Sequence, residues 1–217
     1  MGKISEPPEE ATRSPKAVIF DIGRVIVRLQ PERTLEPLVS GGSLDRSPEQ
    51  VWAAIQNDPH WEDWQEGRMN PREWHQHLTQ QFNISLEFQE FCTVWNRALD
   101  PETILKESLF MKLAARCRLA VLSNTDPLHS ALLEDQFSFL RHFPARIYSC
   151  RVGASKPAPA IYQAALDAVG VRATDALFID DVPEFVQAAR QMGLDAIRFE
   201  NPSQLAQELS RRGLPGE

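Results

Sequence analysis

Four short polar stretches in this 217-residue chain carry residue types that suit phosphoryl transfer. Asp21, then Ile22-Gly23, follows the apolar run Ala17-Val18-Ile19-Phe20, and Ser123-Asn124-Thr125 follows Leu119-Ala120-Val121-Leu122. Lys156 sits within Gly153-Ala154-Ser155-Lys156-Pro157, and Asp180-Asp181 follows Ala176-Leu177-Phe178-Ile179. Taken alone, the first stretch also reads as a turn after a strand, since Asp and Gly both favour turns. Brought together, three carboxylates repel one another and raise their own pKa values unless a cation sits among them. Mg²⁺ answers that need, because it takes a few carboxylate oxygens, water and a phosphate oxygen. Ser123 and Asn124 offer hydrogen-bond donors for phosphate oxygens, and Lys156 a compact positive charge. Moving a phosphoryl group is mainly in-line positioning and charge neutralisation, and a carboxylate can attack it to form an aspartyl-phosphate.

The elements that must position these residues alternate. Short apolar runs predict strands at 17–20, 119–123, 146–150, 176–179 and 196–199, and helices are expected at about 103–115, from Asp126-Pro127 onward, and at 158–169, 183–192 and 202–212. Strands alternating with helices imply an α/β fold with a parallel sheet covered on both faces. In such a sheet the polar residues just after each strand share one edge, where ligands bind.

Residues 31–99 break this alternation and hold all five tryptophans, Trp52, Trp61, Trp64, Trp74 and Trp95. Ser47-Pro48-Glu49-Gln50 and Asn70-Pro71-Arg72-Glu73 each read as a helix start with a capping residue and proline in the first turn. Phe88, Phe91, Cys92, Trp95, Ala98 and Leu99 recur at helical spacing. This is a helical insertion between 15–30 and 100–217, and Met1 to Ser14, rich in Pro and Glu, is expected to be a disordered tail.

The net charge of −7 argues against a nucleic-acid surface. No apolar run nears the roughly 20 residues that cross a bilayer, and Met1 to Pro15 has no signal-like apolar stretch, so a cytoplasmic location without membrane attachment is expected. Cys92, Cys117 and Cys150 lack paired spacing and are expected to be reduced.

Phe20-Asp21-Ile22-Gly23, Leu122-Ser123-Asn124, Lys156-Pro157 and Ile179-Asp180-Asp181 resemble, in order, the four motifs of the haloacid dehalogenase superfamily. The resemblance covers nearly all the chain after residue 15. It implies a Rossmann-like core with an all-helical cap inserted after the first strand, and Asp21 as nucleophile. It also implies Mg²⁺ held by Asp21, the Gly23 backbone carbonyl, Asp180 and Asp181, with Ser123, Asn124 and Lys156 on the phosphate and Lys156 also orienting Asp21. The activity implied is a Mg²⁺-dependent phosphatase acting on a small phosphorylated metabolite.

One departure bears on the reaction. Most phosphatases of the superfamily carry a second Asp two residues after the nucleophile as general acid and base, and here that position is Gly23. Its loss costs on the order of 10²- to 10⁴-fold. Asp-Xaa-Gly with Ser-Asn-Thr resembles the branch of bacterial sugar-1-phosphate phosphatases, with the phosphatase domain of epoxide hydrolases further off, and an anomeric phosphate needs less leaving-group protonation. Gly23 also leaves open a 2-haloacid dehalogenase-type hydrolase, whose halide needs no acid, and a non-catalytic phosphate-ligand binding protein.

The remaining candidates each have a structural alternative. His129 is the candidate substitute acid, or a packed histidine. Glu184 either supports the metal or is an exposed glutamate favoured by a helix N-terminus. Arg24 is expected to face outward. Trp64-Gln65-Glu66-Gly67-Arg68 resembles the cap loop that relatives point at the active site, which makes Trp64, Glu66 and Arg68 specificity candidates. His75 and His77 fall on different faces of one helix, so with His60 they form a poor metal set.

Overall fold

The structure is a computed structural model and describes residues 14–40 and 47–216. Apart from Ser14, the expected tail lies outside the described residues. The first strand, β1 (Ala17–Phe20), is followed by a tight turn and β2 (Val27–Leu29). Five helices come next: α1 (Glu32–Ser40), α2 (Pro48–Gln56), α3 (Trp61–Gln65), α4 (Pro71–Phe82) and α5 (Phe88–Asn96). The chain leaves them through β3 (Leu99–Thr103) and α6 (Glu107–Ala114). It then runs through β4 (Arg118–Ser123), α7 (Pro127–Gln136), β5 (Ala145–Tyr148), the short α8 (Ser149–Val152), α9 (Pro159–Val169) and β6 (Ala176–Asp180), and ends with α10 (Pro183–Gln191), β7 (Asp195–Arg198) and α11 (Pro202–Arg211).

The sheet has the order β5-β4-β1-β6-β7 and every pairing is parallel. Successive strand residues point to opposite faces, so the uninterrupted apolar runs feed two cores. Val18, Phe20, Val121 and Ile179 pack under α6, α7 and α11, while Ile19, Ala120, Leu122 and Phe178 pack under α9 and α10. β4 and β6 flank β1 on opposite sides, so the crevice at the C-terminal ends of these three strands is the natural binding edge.

Helices α1 to α5 share a third apolar cluster built on Trp64, Trp74, Trp95, Phe91 and Leu78. Ser47 and Asn70 form complete capping boxes at the starts of α2 and α4. The connectors into and out of this cap pair antiparallel as β2 and β3, with Leu29 opposite Leu99. The Gln30 amide also donates to Asp100 Oδ2 at 2.8 Å. This ribbon corrects the helix expected from about Thr103, which starts only at Glu107. Residues 99–103 meet partners at least 70 positions away, and no local pattern announces such pairing. No helix among the described residues is long and apolar enough to cross a membrane, and the three cysteines are free and half-buried.

Candidate active site

Asp21 sits just past β1, where its backbone N–H donates to the Ile179 carbonyl at 2.8 Å and extends the pairing with β6 by one residue. The chain then turns sharply. The Ile22 carbonyl accepts from Ile26 and Val27 at 2.9 and 2.8 Å, and Arg24 adopts a left-handed φ of 59°. A Cβ built on Gly23 would lie 3.1 Å from Leu29 Cδ1, so β2 crowds the position where an acid is missing.

Lys156 reaches into the crevice from the loop before α9. Its ammonium donates to Asp21 Oδ1 at 2.6 Å, to Asp180 Oδ2 at 2.6 Å and to the Leu122 carbonyl at 3.2 Å, one acceptor for each N–H. All three charged groups are buried. Asn124 clamps the lysine's backbone: its Nδ2 donates to the Lys156 carbonyl at 2.9 Å and its Oδ1 accepts from the Lys156 N–H at 2.7 Å. Its oxygen and one amide hydrogen thus hold the Lys156 loop, and Asn124 itself lines the crevice, with its second amide hydrogen left for the expected phosphate contact. Ser123, at the end of β4, lines the crevice as expected.

Carboxylate oxygens of Asp21, Asp180 and Asp181 all lie within 4.8 Å of one another. Asp180 Oδ1 accepts from the Val182 N–H at 2.8 Å, which fixes its plane. Burial pushes the Asp21 carboxyl up to about 7, with Lys156 opposing the shift and Asp180 adding to it. Burial and Asp180 likewise raise Asp181, against the pull of Arg24, whose Nη1 is 3.9 Å away. Lys156 stays protonated: burial disfavours its charge, but Asp21 and Asp180 together raise it above the ordinary lysine value. One ammonium among three carboxylates leaves negative charge in excess, and the all-oxygen donor set fits Mg²⁺.

The crevice opens into a cavity of about 270 Å³ roofed by the cap. Trp52 and Gln56 line it from α2, and Trp61 and Gln65 from α3. Each pair is spaced i, i+4 on one helix face, a signal readable in the sequence once the inward face is known. The expected cap residues do not line it. Trp64 is fully buried in the cap core, stacked on Trp74 with centroids 5.5 Å apart. Arg68 turns to Asp63 at 2.5 Å and to Glu66, which holds Glu66 outside the cavity as well. The loop still reaches the site through its backbone. The Gln65 carbonyl accepts from Ser149 Oγ at 2.7 Å, and that hydroxyl accepts from the Thr125 N–H at 2.8 Å.

His129 also lines the cavity, but both ring nitrogens are engaged. Nδ1 lies 2.7 Å from Asp126 Oδ2, and Nε2 lies 3.0 Å from the Trp95 carbonyl. Two acceptors require the doubly protonated ring. Burial opposes that charge, but Asp126 outweighs it and raises His129 above the ordinary histidine value. Releasing a proton would break a buried ion pair, and the ring ties α7 of the core to α5 of the cap, the arrangement of the packed alternative. Glu184 is exposed in the first turn of α10 and does not line the cavity, which fits the helix-dipole alternative. Arg24 is 60% exposed yet lies beside Asp181 at the rim.

Residues 15–193 match the family of haloacid dehalogenase-like hydrolases. The chain is 33% identical over 88 residues to flavin mononucleotide hydrolase 1 of Arabidopsis thaliana, an overlap of 41% of this chain that spans only 36% of the relative. It is 24% identical over 204 residues to a D-ribitol-5-phosphate phosphatase of Bacteroides thetaiotaomicron, covering 90% of this chain and 97% of that protein. Among solved structures, a haloacid dehalogenase family enzyme of the same bacterium, in complex with magnesium and inorganic phosphate, shares the fold. Its TM-score is 0.75 at 21% identity, over 86% of this chain and 94% of that one. With the family match running through all four motif regions, the chain is a member of the haloacid dehalogenase-like hydrolase family.

Proposed function

We propose that this protein is a Mg²⁺-dependent phosphatase of small phosphate monoesters, with Asp21 as nucleophile. The observation that carries this reading is the Lys156 ammonium held 2.6 Å from both Asp21 and Asp180 at the binding edge of the sheet. It fixes Asp21 Oδ1 and leaves Oδ2 for attack on phosphorus. Asp21, Asp180, Asp181 and the Gly23 carbonyl would hold Mg²⁺, which supplies charge neutralisation at the phosphoryl oxygens when bound. The Ser123 hydroxyl donates to the phosphate.

In the first step a bond forms between Asp21 and phosphorus as the ester P–O bond breaks, and the electron pair leaves on the ester oxygen. Water then attacks phosphorus as the bond to Asp21 breaks, its proton passing to solvent or to the departed oxyanion, and inorganic phosphate and the Asp21 carboxylate are released. Gly23 has no side chain to protonate the departing oxygen, which favours a weakly basic leaving group such as the anomeric oxygen of a sugar phosphate. The indoles of Trp52 and Trp61 and the amides of Gln56 and Gln65 suit an uncharged, hydroxylated or ring-bearing leaving group. The names of the two relatives refer to flavin mononucleotide and ribitol 5-phosphate, which agree with a hydroxylated or ring-bearing leaving group, although both are primary-alcohol esters rather than anomeric ones.

The test measures phosphate and chloride release from sugar phosphates, polyol phosphates, nucleotides and 2-haloacids, with Mg²⁺ or chelator, for wild type and Asp21→Asn. Phosphate release that needs both Mg²⁺ and Asp21 is expected. Phosphate release indifferent to both would overturn the reading. Halide release surviving chelation would point to a dehalogenase, and binding without turnover to a phosphate-ligand sensor.

A further inference from the structure

Asp58 and His60 lie in the turn between α2 and α3, and His77 lies midway along α4. Local spacing hides their meeting. His75 and His77 do part company on α4, as their spacing requires, and His75 Nε2 goes to the Leu86 carbonyl at 2.8 Å. The cap fold, however, carries His77 across to the turn. His77 Nε2 is 2.8 Å from Asp58 Oδ2, His60 Nδ1 is 3.2 Å from Asp58 Oδ1, and the imidazole centroids are 4.6 Å apart. Ligand atoms of the three residues all fall within 4.8 Å of one another, as they do in the Asp21, Asp180 and Asp181 cluster.

We propose that Asp58, His60 and His77 form a second divalent-metal site in the cap, selective for ions of the zinc class. Two imidazole nitrogens and one carboxylate suit Zn²⁺, Co²⁺ or Ni²⁺. They suit Mg²⁺ poorly, since it favours oxygen ligands and belongs with the carboxylates of the sheet edge.

Two of the three ligands are already oriented. Asp58 has a side chain 10% exposed and accepts the His60 backbone N–H at 2.8 Å. His77 is 15% exposed, with its ring lying on the fully buried Trp74 at 5.6 Å and 24°. These contacts fix ring and carboxylate as supporting interactions do around a metal. His60 is 49% exposed, which leaves an entry path and room for water as a fourth ligand. Among the described residues Asp58 makes its ion pairs with these two histidines, and no lysine or arginine is engaged at the cluster's carboxylate. Without metal each ring donates a proton to Asp58. On binding, those two nitrogens turn lone pairs to the ion and their protons pass to solvent or to the other ring nitrogen. An ion there ties the α2–α3 turn to α4 at the residue before Trp61, whose side chain lines the cavity.

The test uses the full chain without a histidine tag, in saturating Mg²⁺, titrated with Zn²⁺ by calorimetry and with Co²⁺ by visible absorption. One Zn²⁺ site is expected in wild type and in Asp181→Asn. His60→Gln and His77→Gln are each expected to weaken it at least about tenfold, the loss that even an outer-shell change brings. Intense Co²⁺ bands of low coordination number are expected in wild type and not in the histidine variants. His60→Gln alters a half-exposed side chain, and an unchanged melting temperature in chelator establishes that it folds. Absence of Zn²⁺ binding to wild type, affinity unchanged by both histidine substitutions, or a site lost in Asp181→Asn and kept in His77→Gln would overturn the proposal.

Discussion

Lys156 concentrates the electrostatics of the site in one side chain. Its three N–H groups are spent on Asp21, Asp180 and the Leu122 carbonyl, and Asn124 holds the lysine's own backbone in register. Removing that ammonium leaves buried carboxylates facing one another, a loss of about 3 kcal/mol. Lys156→Met is therefore expected to unfold at lower urea concentration in chelator. Saturating Mg²⁺ should stabilise the variant more than wild type, because a cation then replaces the lost charge. Urea titrations with and without Mg²⁺ check this, and an equal Mg²⁺ effect on both proteins would count against these carboxylates as the metal's holders.

At the level of elements, the cap's entry to the site depends on one short helix and the loop after it. α3 gives Trp64 to the cap core and Trp61 and Gln65 to the cavity: Trp61 and Gln65 are four apart and share a face, while Trp64 is turned about 100° around the helix from Gln65. Gly67 then lets the loop touch the core. Its φ is +72°, and a Cβ would come within 2.2 Å of the Cys150 carbonyl oxygen. Gly67→Ala should push the loop off α8 and carry Gln65 with it, while the two cores of the sheet stay intact. A misplacement of that size is expected to lower kcat/KM on the order of 10²-fold. The left-handed backbone alone should cost stability about 1 to 2 kcal/mol. Steady-state kinetics beside thermal melts separate the two effects. Unchanged kinetics would mean that seating of this loop does not govern catalysis.

Across the whole molecule, cap and core keep separate apolar clusters and meet at few points: the β2–β3 ribbon, the Gly67 loop and a buried network of Asp126, His129 and Trp95. Asp126 caps α7 through the Leu128 and His129 N–H groups, accepts from the Trp95 indole at 3.2 Å and pairs with His129. Burial acts to raise its pKa, but His129 outweighs burial and holds it below the ordinary 3.8. His129 is held above its ordinary 6.5. The sign follows from linkage. A histidine raised on folding contributes fully below 6.5 and loses its contribution as pH rises through the raised value, while a lowered aspartate loses its share only in acid below 3.8. His129→Asn is thus expected to cost about 3 kcal/mol between those limits and progressively less in alkali. Urea unfolding of both proteins near about pH 5 and about pH 9 measures it. A pH-independent difference would show that the pair contributes through packing rather than charge.

The strand-end chemistry was legible from the chain alone because a parallel sheet turns sequence order into position. Polar residues that directly follow buried apolar runs must emerge on one edge, so Asp21, Ser123 and Asp180 were predictable together; that Gly23 stands where an acid is usual came only from the resemblance to the family's first motif. Helix starts at Ser47, Asn70 and Asp126 were equally readable, since capping is decided within four residues. Tertiary structure alone decided what depends on packing between distant segments. It paired β2 with β3, turned Trp61 and Gln65 rather than Trp64, Glu66 and Arg68 to the cavity, and gave both nitrogens of His129 to Asp126 and Trp95. It also carried His77 to Asp58. None of these follows from local periodicity, because each depends on which face of one element a remote element covers.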